Sequence, residues 1–438
     1  MRSLRVLAVF PILALGACTP PPAPVSPAEI SELAGRVARE PNNGDLVLRY
    51  AAALHAAERC DTAQAVARRG MALAPANAVG PLVVGRCLER ADRHEEAIGV
   101  YRAFLADHGR GRGAAGVRSR ELLASRTFAE RRARQALAQE TELSGTPADP
   151  QTVAVLPLHV TGDSAYFPLS RGLAQMLTSD LALLQRFRLV ERIQLAVLLD
   201  ELELARGGRV DEQTAARVGH LVRAGRLVTG LAAIPSEQDI RIEASVILGS
   251  GEVSTPTAAT GRLRDLLRLE KDLVLGLASR LGYTLSEAER RAVLENGTSN
   301  LAAFLAYSRA LDAENQGDYA VAATHYAEAV RRDPGFQAAR EGFQAATAAP
   351  DAQGAAGDVT VLASQTPAEP LGTGLGDELG NAMGSTIGDL SPTQAEQSIS
   401  ITQTTQTAVN TTTNQPPPPS VVPPATVSGV IRIVFRLP

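Results

Sequence analysis

The sequence predicts an α+β multidomain chain in which α-helical repeats flank an α/β domain, with a disordered C-terminal tail. Three observations carry this expectation. Residues paired across a 34-residue offset match in size or apolar character between positions 51 and 104, the mark of stacked helical hairpins. Between positions 152 and 259, short apolar runs of strand length alternate with leucine patterns at helical spacing, the mark of an α/β layer. From about position 349 the composition turns to Ala, Gly, Gln, Thr and Pro, which cannot build a core. A length of 438 residues allows about three domains.

In chain order, residues 1–18 read as an export signal. Arg2 and Arg5 give a positive start, and the apolar stretch 4–17 is too short to span a bilayer, so a cleavable signal fits better than a membrane helix. The run Leu15, Gly16, Ala17, Cys18 resembles the signal of bacterial lipoproteins. That resemblance implies cleavage before Cys18 and lipidation of its sulfur, and a diacylglycerol with an N-acyl chain supplies the paired signals that stable anchoring needs. Thr19 after the cysteine, where an aspartate would retain the protein, implies the outer membrane, with the chain facing the periplasm. Residues 19–28 (TPPPAPVSPA) predict an extended tether.

Residues 29–145 follow as helical repeats. The offset pairs Ala51 with Gly85, Leu54 with Leu88, Ala63 with Ala97, Ala67 with Tyr101 and Gly70 with Phe104, and Pro75 ends the first hairpin. This pattern resembles tetratricopeptide repeats, in which small residues allow the two helices of a unit to approach closely. It departs from them at Phe104, where a small residue is usual, and at Gly109, which replaces a proline. With Cys18 lipidated, Cys60 and Cys87 remain. Their 27-residue separation fits no zinc spacing, and the pair is either a disulfide in an oxidising compartment or two thiols buried as small apolar residues. The helix expected over residues 116–143 carries six arginines, read as a solvated face or as a contact with anionic lipid diluted by Glu121, Glu130, Glu140 and Glu142.

In the middle domain, residues 152–158 (TVAVLPL) read as a strand buried on both faces, residues 167–184 as a helix, and residues 188–191 as a second strand parallel to the first. Helices are expected over 193–204 and from Asp211 to near Gly219, then strands over 227–234, 240–248 and 252–259, and a closing helix over 263–281. The combination of VAVLPL, RLVERIQLAVLLDELEL, Gly219 and LVTGLAA resembles the CsgG-like and FlgO-like periplasmic domains over residues 151–285, and a similar arrangement occurs in the amino-terminal domain of TolB-like proteins. The resemblance carries over Val190, Glu191, Arg192, Leu195, Leu198, Leu199, Glu201, Leu202, Val228, Thr229 and Gly230, mostly as fold-defining positions. It implies an outer-membrane lipoprotein that assembles or exports extracellular fibre subunits.

Residues 286–348 predict a further tetratricopeptide-like unit around Ala310, Ala313, the turn at 317–319, Ala322, Tyr326, Ala329 and Pro334. One such unit cannot bury its own apolar face, so it needs the α/β domain, residues 336–348, the amino-terminal repeats or a partner. Residues 349–426 are the expected disordered tail. Residues 427–438 end in GVIRIVFRL, whose alternation predicts a terminal strand that completes the protein's own sheet or adds to another edge.

No catalytic constellation is found. Histidines 55, 94, 108, 159, 220 and 325 are scattered, no phosphate loop or nucleophile elbow is present, and Gly372, Gly374 and Gly376 lack a preceding strand. The expectation is a non-enzymatic protein with no cofactor and no metal. A net charge of −4 lacks the footprint of a nucleic-acid binder. Lys271 is the one lysine in the chain; the other 42 basic residues are arginine. The expected role is a lipid-anchored protein-interaction scaffold in envelope assembly or secretion, with protein partners on the repeats and a homo-oligomer as one arrangement. The alternatives are a subunit of an outer-membrane secretion channel, with residues 240–248 as an amphipathic strand, and a periplasmic ligand sensor.

Overall fold

A computed structural model describes residues 25–202, 212–353 and 359–365. The signal segment with Cys18, most of the tether, most of the tail and the 427–438 segment lie outside these residues.

Helix α1 (Pro27–Arg39) starts on the Ser26 cap, whose hydroxyl accepts from the Glu29 amide, with Pro27 in the first turn where its missing N–H costs nothing. Two hairpins follow, α2 (Gly44–Ala56) with α3 (Cys60–Leu73), and α4 (Val79–Arg90) with α5 (His94–His108), and then the long α6 (Ala114–Ala138) and the short α7 (Glu140–Ser144). The 34-residue offset recurs in the backbone: Glu58 and Asp92 both turn the chain in the left-handed region, at φ 60° and 65°. Cys60 opens α3 and Cys87 lies on α4; the two are disulfide-bonded with Cα atoms 5.4 Å apart. The bond closes a loop of about 27 residues, and Cys60→Ser with Cys87→Ser is expected to lower stability by about 2–4 kcal/mol, read by urea unfolding with and without reductant.

The six-stranded sheet is mixed, with strand order β3, β1, β4, β5, β6. Strand β1 (Asp149–Val155) lies parallel between β3 (Arg188–Leu189) and β4 (Ala224–Ser236), with Val153 level with both Leu189 and Arg226. Strand β2 (His159–Gly162) also runs parallel to β4, further along it. The antiparallel β5 (Asp239–Leu248) sets Val246 opposite Val228, and β6 (Thr257–Gly261) forms the edge. The third expected strand is shifted: residues 252–254 form one isolated bridge, Val253 to Ile247, and regular pairing begins at Thr257, because the turn at 249–251 extends the connection. Likewise the second expected strand contracts to two residues, since Glu191 already serves as the cap of the next helix.

Successive residues of β1 enter different cores, which explains its unbroken apolar run. Val153 and Val155 join Val228, Ile242 and Val246 beneath α8 (Leu169–Ala182) and α11 (Leu266–Arg280). Ala154 and, just past the strand, Leu156 join Leu227 and Ile247 beneath α9 (Arg192–Glu201) and α10 (Glu212–Val222). The first core extends through α12 (Glu287–Glu295) into α13 (Leu301–Gln316) and α14 (Tyr319–Arg332), where Phe304, Tyr307 and Tyr326 are buried. The second takes in Ala129 and Ala133 of α6.

The carboxy-terminal hairpin covers its apolar face in two ways: α13 packs on α8, and α14 packs on α15 (Gln337–Gln353), which in turn packs on α6. Ordered structure therefore runs past the expected tail boundary at 349. Ala349 and Ala352 are fully buried in α15, and α16 (Val359–Ser364) buries Leu362. The alanine-rich composition that reads as low complexity is here a helix whose small side chains permit close approach to α6.

Candidate interaction site at the junctions of repeats and sheet

Two buried hubs of the same construction hold the helical units. In the first, Tyr101 of α5 is fully buried and donates its hydroxyl to Glu89 Oε1 of α4 at 2.6 Å. Arg120 of α6 donates to Glu89 Oε2 and, through Nη1, to the Ala352 carbonyl of α15 at 2.6 Å. In the second, Tyr326 of α14 donates to Glu314 Oε2 of α13 at 2.9 Å. Arg192 of α9 donates to Glu314 Oε1 and to Asn315 Oδ1. Glu314 and Tyr326 stand 225 positions after Glu89 and Tyr101, and Gly317, in the left-handed region at φ 79°, stands the same distance after Asp92. A glycine makes room for each tyrosine ring, Gly85 for Tyr101 and Gly342 for Tyr326. Burial, reinforced by the neighbouring glutamate, pushes both phenols well above their ordinary range, so they remain O–H donors.

The arginine of each hub comes from outside the hairpin it holds. At the start of α9, adjacent residues reach two different helical units: Arg192 enters the carboxy-terminal hub, while Glu191 accepts from Arg102 of α5, at 2.6 and 2.9 Å. Arg102 also donates to Glu121 of α6 at 2.9 Å, so one arginine ties α5, α6 and the sheet domain together. The Glu191–Arg192 pair thus acts as a clamp between both sets of helices and the sheet. Its fork geometry suits this, because a planar guanidinium can serve two acceptors at once.

The other expected positions support the frame. Val190, Leu195, Leu198 and Leu199 are buried in the core beneath α9, and Leu202 packs on it half-buried. Val228 is fully buried on the opposite face, with Thr229 half-buried beside it. At Gly230 a Cβ would collide with the Glu243 carbonyl of β5, so the strands require glycine there. Glu201 is exposed and accepts from Arg134 of α6 at 3.5 Å.

A further buried cluster was not foreseen. Lys271 of α11 places Nζ 2.6 Å from Asp180 Oδ2 of α8 and 3.4 Å from Glu270 Oε2, and Asn296 donates to Asp180 Oδ1 at 2.7 Å. Asp180 and Glu270 are fully buried, and burial raises both carboxyls above their ordinary range, against the pull of Lys271. Among the described residues no group of three His, Cys, Asp or Glu could hold a metal ion, and no described helix is long and apolar enough to cross a membrane.

The signals for the hubs were present in the chain as a Glu and a Tyr twelve residues apart in each of two hairpins. Arg192 stood in the family-like run, whereas Arg120 carried no signal beyond its place on an arginine-rich helix. No curated protein matches the chain. Residues 135–234 match the family described as "Curli production assembly/transport component CsgG". The match runs from the end of α6 through β1 to β4 and encloses the Glu191–Arg192 clamp, somewhat earlier in the chain than the 151–285 resemblance. The chain therefore carries a CsgG-like domain, and within the matched residues Glu191 and Arg192 bond to helical units on either side of it.

Proposed function

We propose that this is a lipid-anchored protein of the bacterial outer membrane, facing the periplasm, which acts without catalysis as a protein-interaction scaffold in the assembly or transport of extracellular proteins. The observation that carries the reading is the CsgG-like domain, whose family description names curli production assembly and transport. The clamp supports the scaffold role, since it joins tetratricopeptide-type helices on both sides to that domain. The strand that the channel alternative would need, β5, lays Ile240, Ile242 and Val246 against the core beneath α11, which favours a scaffold over a membrane hairpin.

Crosslinking in intact cells, followed by detergent extraction and native mass spectrometry of wild type and Cys18→Ala, tests the reading. The expected result is a membrane-associated mixed complex with exported or surface proteins that the substitution releases from the membrane. A ring of identical subunits with conductance in bilayers would replace the scaffold with a channel. A soluble monomer in both strains would remove the anchor.

A further inference from the structure

Arg226 of β4 is a half-buried cation whose guanidinium lies over the Phe187 ring, 5.7 Å from its centroid. Among the described residues it makes no ion pair and no side-chain hydrogen bond, so its five N–H donors stay available. A charge drawn partly out of water calls for an anion, which an aromatic face replaces only in part. The carboxylates bonded to this end of the sheet are already engaged. Asp149 accepts from the Gln151 amide at 2.9 Å, from Thr152 at 3.0 Å and from Arg188 at 3.3 Å, and Glu289 accepts from Tyr283 and Ser286. Arg186 and Arg223, both exposed, also lack a carboxylate partner among the described residues, which leaves an excess of positive charge here.

Arg226 stands where two cavities meet. The first, of about 210 Å³, has Phe187, Tyr283, Leu281 and Pro150 as apolar walls and Arg186 as a second cation. Phe187 and Tyr283 meet edge to face with centroids 6.2 Å apart. A cavity of about 150 Å³ takes a benzene ring, so this one holds a ring with a short polar extension. The second cavity, of about 530 Å³, shares Arg226 and Pro150 and is lined largely by backbone, at residues 144–148, Gly225 and Gly249.

We propose that the first cavity binds a carboxylate carried on a single aromatic group, with the carboxylate on the Arg226 guanidinium and the ring against Phe187 and Tyr283. The planar fork of arginine matches a carboxylate in two bonds. The apolar walls select an amphiphilic acid over a bare, strongly hydrated anion. A free aromatic acid and the carboxy-terminal residue of a protein chain present the same chemistry, and only the second would extend into the adjoining cavity. The site goes beyond the scaffold reading and uses neither the anchor nor the helical repeats.

The test is isothermal titration calorimetry of the full chain with N-acetylphenylalanine, its amide, and the tripeptide Ala-Ala-Phe. Saturable binding of the acid is expected with a Kd of about 1 mM or below, and the uncharged amide is expected to bind at least about tenfold more weakly. Arg226→Gln is expected to weaken the acid about tenfold or more, and circular dichroism establishes that the variant folds. If glutamine prevents folding, Arg226→Lys takes its place, with a smaller loss because the charge remains and the fork is gone. Tighter binding of the tripeptide than of N-acetylphenylalanine would support the site and identify a chain end as its ligand; equal binding would support it for a small acid. No saturable binding of any of the three, equal binding of acid and amide, or undiminished binding to a folded Arg226 variant would overturn the site. Displacement of the acid by an equal concentration of inorganic phosphate would overturn the aromatic part and leave a general anion patch. None of these outcomes depends on Cys18, so failure here leaves the envelope reading standing.

Discussion

Lys271→Ala is expected to lower the stability of the protein by about 3–5 kcal/mol, because removal of one partner from a buried ion pair leaves the other charge uncompensated. Two carboxyls are left behind: Asp180, which keeps its bond from Asn296, and Glu270, for which the Lys271 ammonium at 3.4 Å is the neighbouring cation. Urea unfolding measures the loss, and a change below about 1 kcal/mol would contradict a buried charge network of this kind. Removing both charges with Asp180→Asn and Lys271→Met is expected to cost less than Lys271→Ala alone, since no unpaired ion then remains.

The same cluster sets a pH dependence. Burial raises Asp180 and Glu270 above their ordinary values of 3.8 and 4.5, so the folded state binds protons more tightly than the unfolded chain. The contribution is fully present below those ordinary values and is lost as pH rises through the raised ones, which makes the slope of stability against pH negative there, up to about 1.4 kcal/mol per pH unit for one group. Glu270 faces Asp180 from α8 and Lys271 on its own helix. Glu270→Gln is expected to flatten this slope and to stabilise the protein at pH 7. A destabilised variant with an unchanged slope would show that Glu270 is ionised in the fold.

Arg192→Ala is the second large effect, again about 3–5 kcal/mol, because Glu314 is buried and its second partner, Tyr326, cannot supply charge. Arg192→Lys is expected to recover little of it, as a single ammonium cannot reproduce the fork to Glu314 and Asn315. The loss has a place as well as a size: hydrogen exchange in α13 and α14 is expected to rise well before exchange in α8 and β1. Arg102→Ala gives the contrast. Arg102 and Glu191 are about 48% and 40% exposed, so that half of the clamp is expected to contribute 1 kcal/mol or less, and more at low salt than at high salt. If Arg102→Ala destabilised as much as Arg192→Ala, burial would not be the distinguishing factor between the two.

The fold was largely legible where it rests on local pattern. The apolar run of β1, the leucines of α8 and α9, and the 34-residue offset each act through a periodicity that neighbours in sequence create. The short edge of β3 and the late start of β6 were less so, because one residue of cap or turn decides them. Reading residues 349–353 as tail failed for a different reason: alanine is uninformative about burial until the facing helix, α6, is known.

The site divides in the same way. The resemblance to CsgG-like domains pointed to Glu191 and Arg192, composition marked Lys271 as the lone lysine without giving it a role, and the repeat spacing gave the aromatic and small positions of the hairpins. Only the tertiary structure decided that Glu191 and Arg192 serve opposite helical units, that Lys271 lies between Asp180 and Glu270, and that α16 lies across α4 and α6. The pairings between elements join residues separated by 89 to 123 positions or bring backbones into contact at glycines, and an ionic or apolar preference leaves the partner open until packing brings one within reach and excludes water from the rest.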